Sequence, residues 1–224
     1  MKEPVITHNT ISDFYRSINL PCDQELDFSI HSLADIHKSF PFRSPVFRTN
    51  YYSFVFIKDG YGSYTTDNLT FNTQPGTIYF TNPGHLKAFT MRQLTEAYII
   101  TFTEAFLKEN IHPNIFAEFP FLLAETVPPS DLSENDFAPF ENLYLQVFSE
   151  FHSESPYKYR IIGNLFVVIL LKIKQLVWSD YNPIAEGDRG SLIVKRFKEH
   201  LEKHYRRLDE HTESYLFQVQ DYAR

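Results

Sequence analysis

The chain has 224 residues, 43% hydrophobic, 17% aromatic and 22% charged, and its 21 Lys+Arg against 28 Asp+Glu give a formal charge of −7. That is enough apolar material for one large domain or two smaller ones with a buried core. Collagen and coiled coil are excluded by composition, and a disulfide scaffold by the lone Cys22. An acidic total also argues against the simplest nucleic-acid binder, whose surface is net basic. The opening residues carry no apolar signal-peptide core. The most apolar run, 161–171, is too short to span a bilayer and is followed by Lys172 and Lys174. A single thiol fits a reducing compartment, so the expectation is a cytoplasmic protein with no membrane partner.

Up to about residue 130 the chain reads as β. Runs rich in Phe, Tyr, Ile, Val and Thr fill 27–33, 46–57, 61–66, 69–72, 77–81, 86–92 and 97–102. Asp59-Gly60, Asp67-Asn68, Gln74-Pro75-Gly76 and Asn82-Pro83-Gly84 separate them as turn signals. Many short strands at this spacing predict an antiparallel sandwich or barrel. Thr103 then caps a short helix over 104–110 with an acid in its first turn.

After Pro128-Pro129 the period changes. Phe137, Phe140, Tyr144, Val147 and Phe151 fall on one helical stripe. Pro139 belongs in a first turn, which favours Asp136 over Ser133 as the cap of that helix. A second helix is expected from a Ser155 cap with Pro156 at its first position, running to about Trp178. It is apolar around most of its circumference over 161–171, so several surfaces must cover it. Residues 180–190 read as a linker, and a third helix follows a Ser191 cap, with Ile193, Phe197, Leu201 and Tyr205 at steps of four.

Catalytic signatures are absent: there is no G-x-S-x-G elbow, phosphate loop or Rossmann fingerprint. His200 and His204 stand four apart, but the flanking Lys198, Glu199, Glu202 and Lys203 mark a solvated helix face rather than a metal site. Cys22 has no local partner that would activate it. Asn68-Leu69-Thr70 matches a glycosylation acceptor by chance.

Three stretches carry a resemblance. They are 54–62 (FVFIKDGYG), 75–85 (PGTIYFTNPGH) and 100–107 (ITFTEAFL). Together they resemble the cupin-type barrel, a double-stranded β-helix or jelly roll, and more narrowly the effector-binding half of AraC-type transcription regulators. Residues 193–205 are similar to the first helix of the DNA-binding domain of that family, and 219–224 to the opening of the next. The resemblance implies an α+β protein in three parts: a cupin-like barrel at 1–130, a helical dimerisation segment at 131–182, and a linker with the first helices of an incomplete DNA-binding domain at 183–224. It implies a non-enzymatic homodimer that binds a small-molecule effector and meets DNA through a C-terminal part beyond residue 224. Residues 189–224 carry a net charge of +2 and the remainder −9, so the acidic balance belongs to the sensing part.

Cupin enzymes hold a metal with three His and a Glu. Aligning Gly60 puts Ser53 at the Glu position and Val46 with Arg48, or Phe47 with Thr49, at two His positions, while Gly76 and Gly84 put Lys87 at the third. None of these is a ligand for a divalent ion, and a cationic Lys or Arg repels one. No cofactor is expected, and a metal-dependent cupin enzyme is the first alternative, a carbohydrate-binding jelly roll the second. Inward-facing cations need a compensating ligand. The candidate binding residues are therefore Arg48, Ser53, Tyr64, His85 and Lys87, for a carboxylate, phosphate or sugar-like effector. For the dimer face the candidates are Ile162, Phe166, Ile169, Leu170 and Ile173.

Overall fold

The computed structural model describes residues 5–18, 26–36, 39–112, 115–123, 128–178 and 204. The chain is α+β, and its strands join in one sheet: β1 (Ile6–His8), β2 (Phe28–Ser32), β3 (Phe42–Arg43), β4 (Phe47–Thr49), β5 (Tyr52–Thr66), β6 (Leu69–Thr73), β7 (Thr77–Thr81), β8 (Leu86–Phe102) and β9 (Ser130–Asp131). The order is β1-β4-β8-β5-β7-β9, with β2 and β3 also paired to β8 and β6 to β5. Every pairing is antiparallel except the parallel β1–β4.

Two long strands organise the rest. Asp59-Gly60, expected as a turn, lies inside β5, and the runs expected at 86–92 and 97–102 are one strand, β8. The two pair along their whole length, with register shifts at Ile57/Asp59, Asp59/Gly60 and Tyr61/Gly62. A continuous partner keeps the backbone groups in the ladder, so the local turn signal is absorbed as bulges that bend the pair. Where no partner continues, the turn signals act as read. Asp67 joins β5 to β6 at φ 50°, and Gly76 adopts φ 88° before β7, a conformation that costs glycine little.

Strand alternation sorts side chains to two faces. Phe28, Ile30, Tyr52, Phe54, Phe56, Ile78, Phe80, Tyr98, Ile100 and Phe102 share one apolar cluster with the helices. Val55, Ile57, Tyr64, Tyr79, Met91 and Leu94 cluster with Leu33 and Ala97 on the other face. Strands buried on both sides explain why the apolar runs look nearly continuous.

The helices are α1 (Ile11–Ser17), α2 (Leu33–Ile36), α3 (Glu104–Asn110), α4 (Ile115–Glu118), α5 (Glu134–Phe151) and α6 (Lys158–Trp178), with a 3-10 turn at Pro120–Leu123. Helix α3 follows the reading, with Thr103 Oγ1 accepting from the Phe106 N–H at 3.2 Å. Helix α5 corrects it. Ser133, not Asp136, is the cap: its Oγ accepts from the Asp136 N–H at 3.3 Å and donates to the Asp136 carboxylate at 2.5 Å. Asp136 thereby supports the cap from inside the first turn, and Pro139 is accommodated within the helix. Ser155 stands ahead of α6, its Oγ accepting from the Tyr157 N–H. Of the helix expected after Ser191 only His204 is among the described residues; it is helical and buried, against the solvated face expected there. The linker and the remaining DNA-binding elements lie outside them. No helix among the described residues is long and apolar enough to cross a membrane.

Helix α6 crosses α3 closely at Gly163, where an added Cβ would meet the Asn110 carbonyl oxygen at 2.5 Å. Backbone cannot swing aside as a flexible side chain does. Gly163→Ala should therefore destabilise the protein by about 1–3 kcal/mol despite the better helix propensity of Ala, read as a lower urea midpoint.

Candidate functional site

On the face of the sheet away from α5 and α6, the strands surround a cavity of about 50 Å³. Its polar end is built by register. Phe47 pairs with Lys87 and Arg48 with Leu86 across β4 and β8. Phe47 and Lys87 therefore point to one face, and Arg48 to the other.

Lys87 is the central residue. It is 3% exposed, and its Nζ donates to Thr49 Oγ1 and Thr81 Oγ1, each at 2.7 Å. Thr49 Oγ1 in turn donates to the Tyr51 carbonyl at 3.1 Å. Lys87 makes no ion pair among the described residues, so nothing offsets its desolvation beyond two hydroxyls and the more distant charge of Asp67. Burial accordingly pulls the amine down to about 7, with Asp67 acting weakly in the opposite sense.

The walls are apolar and aromatic, among them Val55, Tyr79, Phe89, Met91 and Ile99. Tyr64 stacks on Tyr79 with ring centroids 4.5 Å apart, and burial pushes both phenols up. Ser53 and Thr101, opposed in the β5–β8 register, add hydroxyls. Behind them Thr101 Oγ1 lies 2.6 Å from Ser29 Oγ, which also hydrogen-bonds the Tyr15 hydroxyl of α1.

Phe14 of α1 helps close the cavity, and with Phe47 and Phe89 it also lines a larger apolar hollow of about 370 Å³ whose other walls include Ile6, Ile18, Ile36 and Phe42. These three rings are shared by the inner and outer spaces. His8, between Phe14 and Phe47 with centroids at 5.5 and 6.1 Å, is held below its ordinary pKa by burial, opposed by Asp13.

Of the residues expected to bind a ligand, Ser53, Tyr64 and Lys87 meet at the cavity. Arg48 does not: it is exposed on the outer side of β4, and Phe47 and Thr49 of the alternative spacing line the cavity instead. His85 is also outside the lining. Its Nδ1 sits 2.6 Å from Asp67 Oδ2, while Asp67 Oδ1 accepts from the Leu86 N–H, so it clasps the β5–β6 turn to the start of β8. Helix α1 and its Phe14 were not anticipated. The signal was present: Thr10 and Asp13 form a reciprocal capping box, at 3.0 and 3.1 Å.

The residues chosen for a dimer face are core residues. Ile162, Phe166, Ile169 and Leu170 are fully buried and Ile173 nearly so, packed in the cluster beneath the sheet. The outward stripe of α6 is Ile161, Val168 and Leu171, 39–45% exposed.

These features make a mostly apolar cavity with one buried amine on an α+β domain; no group of three or more His, Cys, Asp or Glu converges as metal ligands among the described residues. No protein-family model matches the chain, and neither does any curated protein. Similar solved structures include ToxT from Vibrio cholerae bound to (E)-4-(8-methylnaphthalen-1-yl)but-3-enoic acid, at 14% identity and a TM-score of 0.41, covering 68% of this chain and 58% of that one. The P21 crystal form of ToxT from Vibrio cholerae is 12% identical with a TM-score of 0.40, covering 77% and 76%. The AraC-like transcriptional activator CuxR is 17% identical with a TM-score of 0.38, covering 55% and 42%. This chain thus spans 58% of the length of the first and 42% of CuxR, and scores of this size do not establish a common fold.

Proposed function

We propose that the chain is the effector-binding and dimerisation part of an AraC-type transcription regulator. On this reading the bent sheet is its cupin-type barrel, and it senses a small anion with an apolar body without transforming it. The observation that carries the reading is Lys87, a buried amine with no ion-pair partner among the described residues, in a cavity walled by aromatic rings. A ligand carboxylate would supply the missing counter-charge, while the apolar remainder would lie against the aromatic walls of the cavity. The order of the sequence elements at 54–62, 75–85 and 100–107 supports the family. The outward stripe of α6 is the surface left for a second copy, and DNA contact would belong to the DNA-binding domain whose opening helices 193–205 and 219–224 resemble.

A thermal-shift series with hexanoate, phenylacetate, arabinose and glucose at pH 6.5 tests the reading. A carboxylate at a hundred times its dissociation constant adds about 2.7 kcal/mol, a rise of roughly 5–10 °C. The response should weaken as pH climbs from 6 to 8, because only the ammonium form pairs with the anion, and it should vanish in Lys87→Met. No shift with either carboxylate, a shift with the sugars alone, or a shift that survives Lys87→Met would overturn it.

A further inference from the structure

We propose that Lys87 is also a covalent capture site, its amine forming a reversible imine with an apolar aldehyde admitted to the cavity. The proposal shares the cavity with the sensing reading and goes beyond it in bond type and ligand class. Its first support is placement. The Nζ atom is held inside the protein, and its two contacts, Thr49 Oγ1 and Thr81 Oγ1 at 2.7 Å, are uncharged hydroxyls that accept from it; Thr49 gives its own proton to the Tyr51 carbonyl, while Thr81 can instead donate to a free amine. Its second support is what the site omits. Lys58 is clamped by Glu96 and Glu141 at 2.9 and 2.5 Å, which raises its pKa and keeps it an ammonium ion, and Lys108 is paired with Glu104 at 3.1 Å. Lys87 has no such clamp among the described residues, and burial leaves a large fraction of it as free amine near neutral pH.

The chemistry balances without an oxidant or reductant. The nitrogen lone pair attacks the carbonyl carbon, a C–N bond forms, and the carbonyl π electrons move to oxygen. A proton passes from nitrogen to that oxygen, for which the Thr81 hydroxyl, 2.7 Å from Nζ, is in reach. The hydroxyl then leaves as water as C=N forms and the nitrogen loses its remaining proton. The net change is aldehyde plus amine to imine plus water. The walls of Val55, Tyr79, Phe89, Met91 and Ile99 limit the water that would reverse it.

The full chain is incubated with hexanal and sodium cyanoborohydride, whose hydride reduces any imine to a stable secondary amine, and the adduct is located by peptide mass mapping. At pH 7.5 Lys87 should be labelled at least about tenfold faster than a lysine of ordinary pKa, because a far larger share of it is unprotonated. Its labelling should rise with a midpoint near pH 7, a readout that needs no variant, whereas surface lysines keep rising to pH 10. Lys87→Arg should lose the fast adduct. Labelling spread evenly over surface lysines with Lys87 untouched, or a fast adduct retained in Lys87→Arg, would overturn the proposal. Hexanoate raising the melting temperature without a Lys87 adduct overturns the imine and leaves sensing standing. A Lys87 adduct without any carboxylate response upholds the imine and removes the anion reading.

Discussion

Phe166→Ala should destabilise the protein by about 3–5 kcal/mol. Phe166 is fully buried on the inner stripe of α6, and its ring meets Phe102, Phe54 and Phe28 at centroid distances of 4.7, 5.5 and 6.4 Å. It is where α6 closes over the sheet. Truncation removes the burial of a whole ring and leaves a hole bordered by three other rings, which are fixed in strands β2, β5 and β8 and cannot collapse into it. Set against a total of about 5–15 kcal/mol for a domain, that is a large share. The melting temperature should fall by roughly 10 °C, measured by circular dichroism. Val168→Glu, two residues along but on the exposed stripe, should change stability by no more than about 0.5 kcal/mol. If α6 carries the dimer face, it should shift sedimentation toward the monomer. A Phe166→Ala protein melting within a degree or two of wild type would show that α6 does not hold the sheet as described.

Lys87→Met should abolish a pH dependence of stability that the wild type displays. The folded amine titrates near 7 and the unfolded one near its ordinary value of 10.5. Between those values the unfolded chain binds more protons, so wild-type stability climbs as pH rises from 7 toward 10. Below pH 7 both states are protonated and the cost of burying the charge is fully present. The span is up to roughly 5 kcal/mol. Met occupies similar volume without a charge, so its stability minus that of wild type should be positive at pH 6–7 and shrink steadily to pH 9. Losing the amine leaves Thr81 one hydrogen bond short, worth about 1 kcal/mol in the other direction. Urea midpoints at pH 6, 7, 8 and 9 check this. Parallel pH profiles for the two proteins would mean that Lys87 keeps its charge at no cost, and the site description would fail with it.

Both predictions fall where sequence and structure divided the work. The stripe at Ile162, Phe166, Ile169, Leu170 and Ile173 is legible from spacing alone, because a helix brings residues three and four apart to one side. What covers that stripe is not a local property. The sheet of this chain covers it, and the surface left over is the one at Ile161, Val168 and Leu171. Asp59-Gly60 makes the same point for strands. A turn and a bulge draw on the same residues, and only the partner strand β8 decides between them.

The site was half legible. Lys87 was found by aligning Gly76 and Gly84, which lie in turns that set where strands begin, and Ser53 by counting back from Gly60 within β5. Arg48 was misplaced because a shift of one residue reverses the face of every side chain in a strand, and the spacer length that sets it follows from pairing between β4 and β8. The sequence by itself determined that strands dominate the first 130 residues, that two long helices follow, and which faces of those helices are apolar, all of which depend on neighbours within a few positions. Only the tertiary structure decided which face encloses the cavity, which residues reach Lys87, and that α1 closes it with Phe14. Those depend on contacts between residues far apart in the chain, which no local pattern encodes.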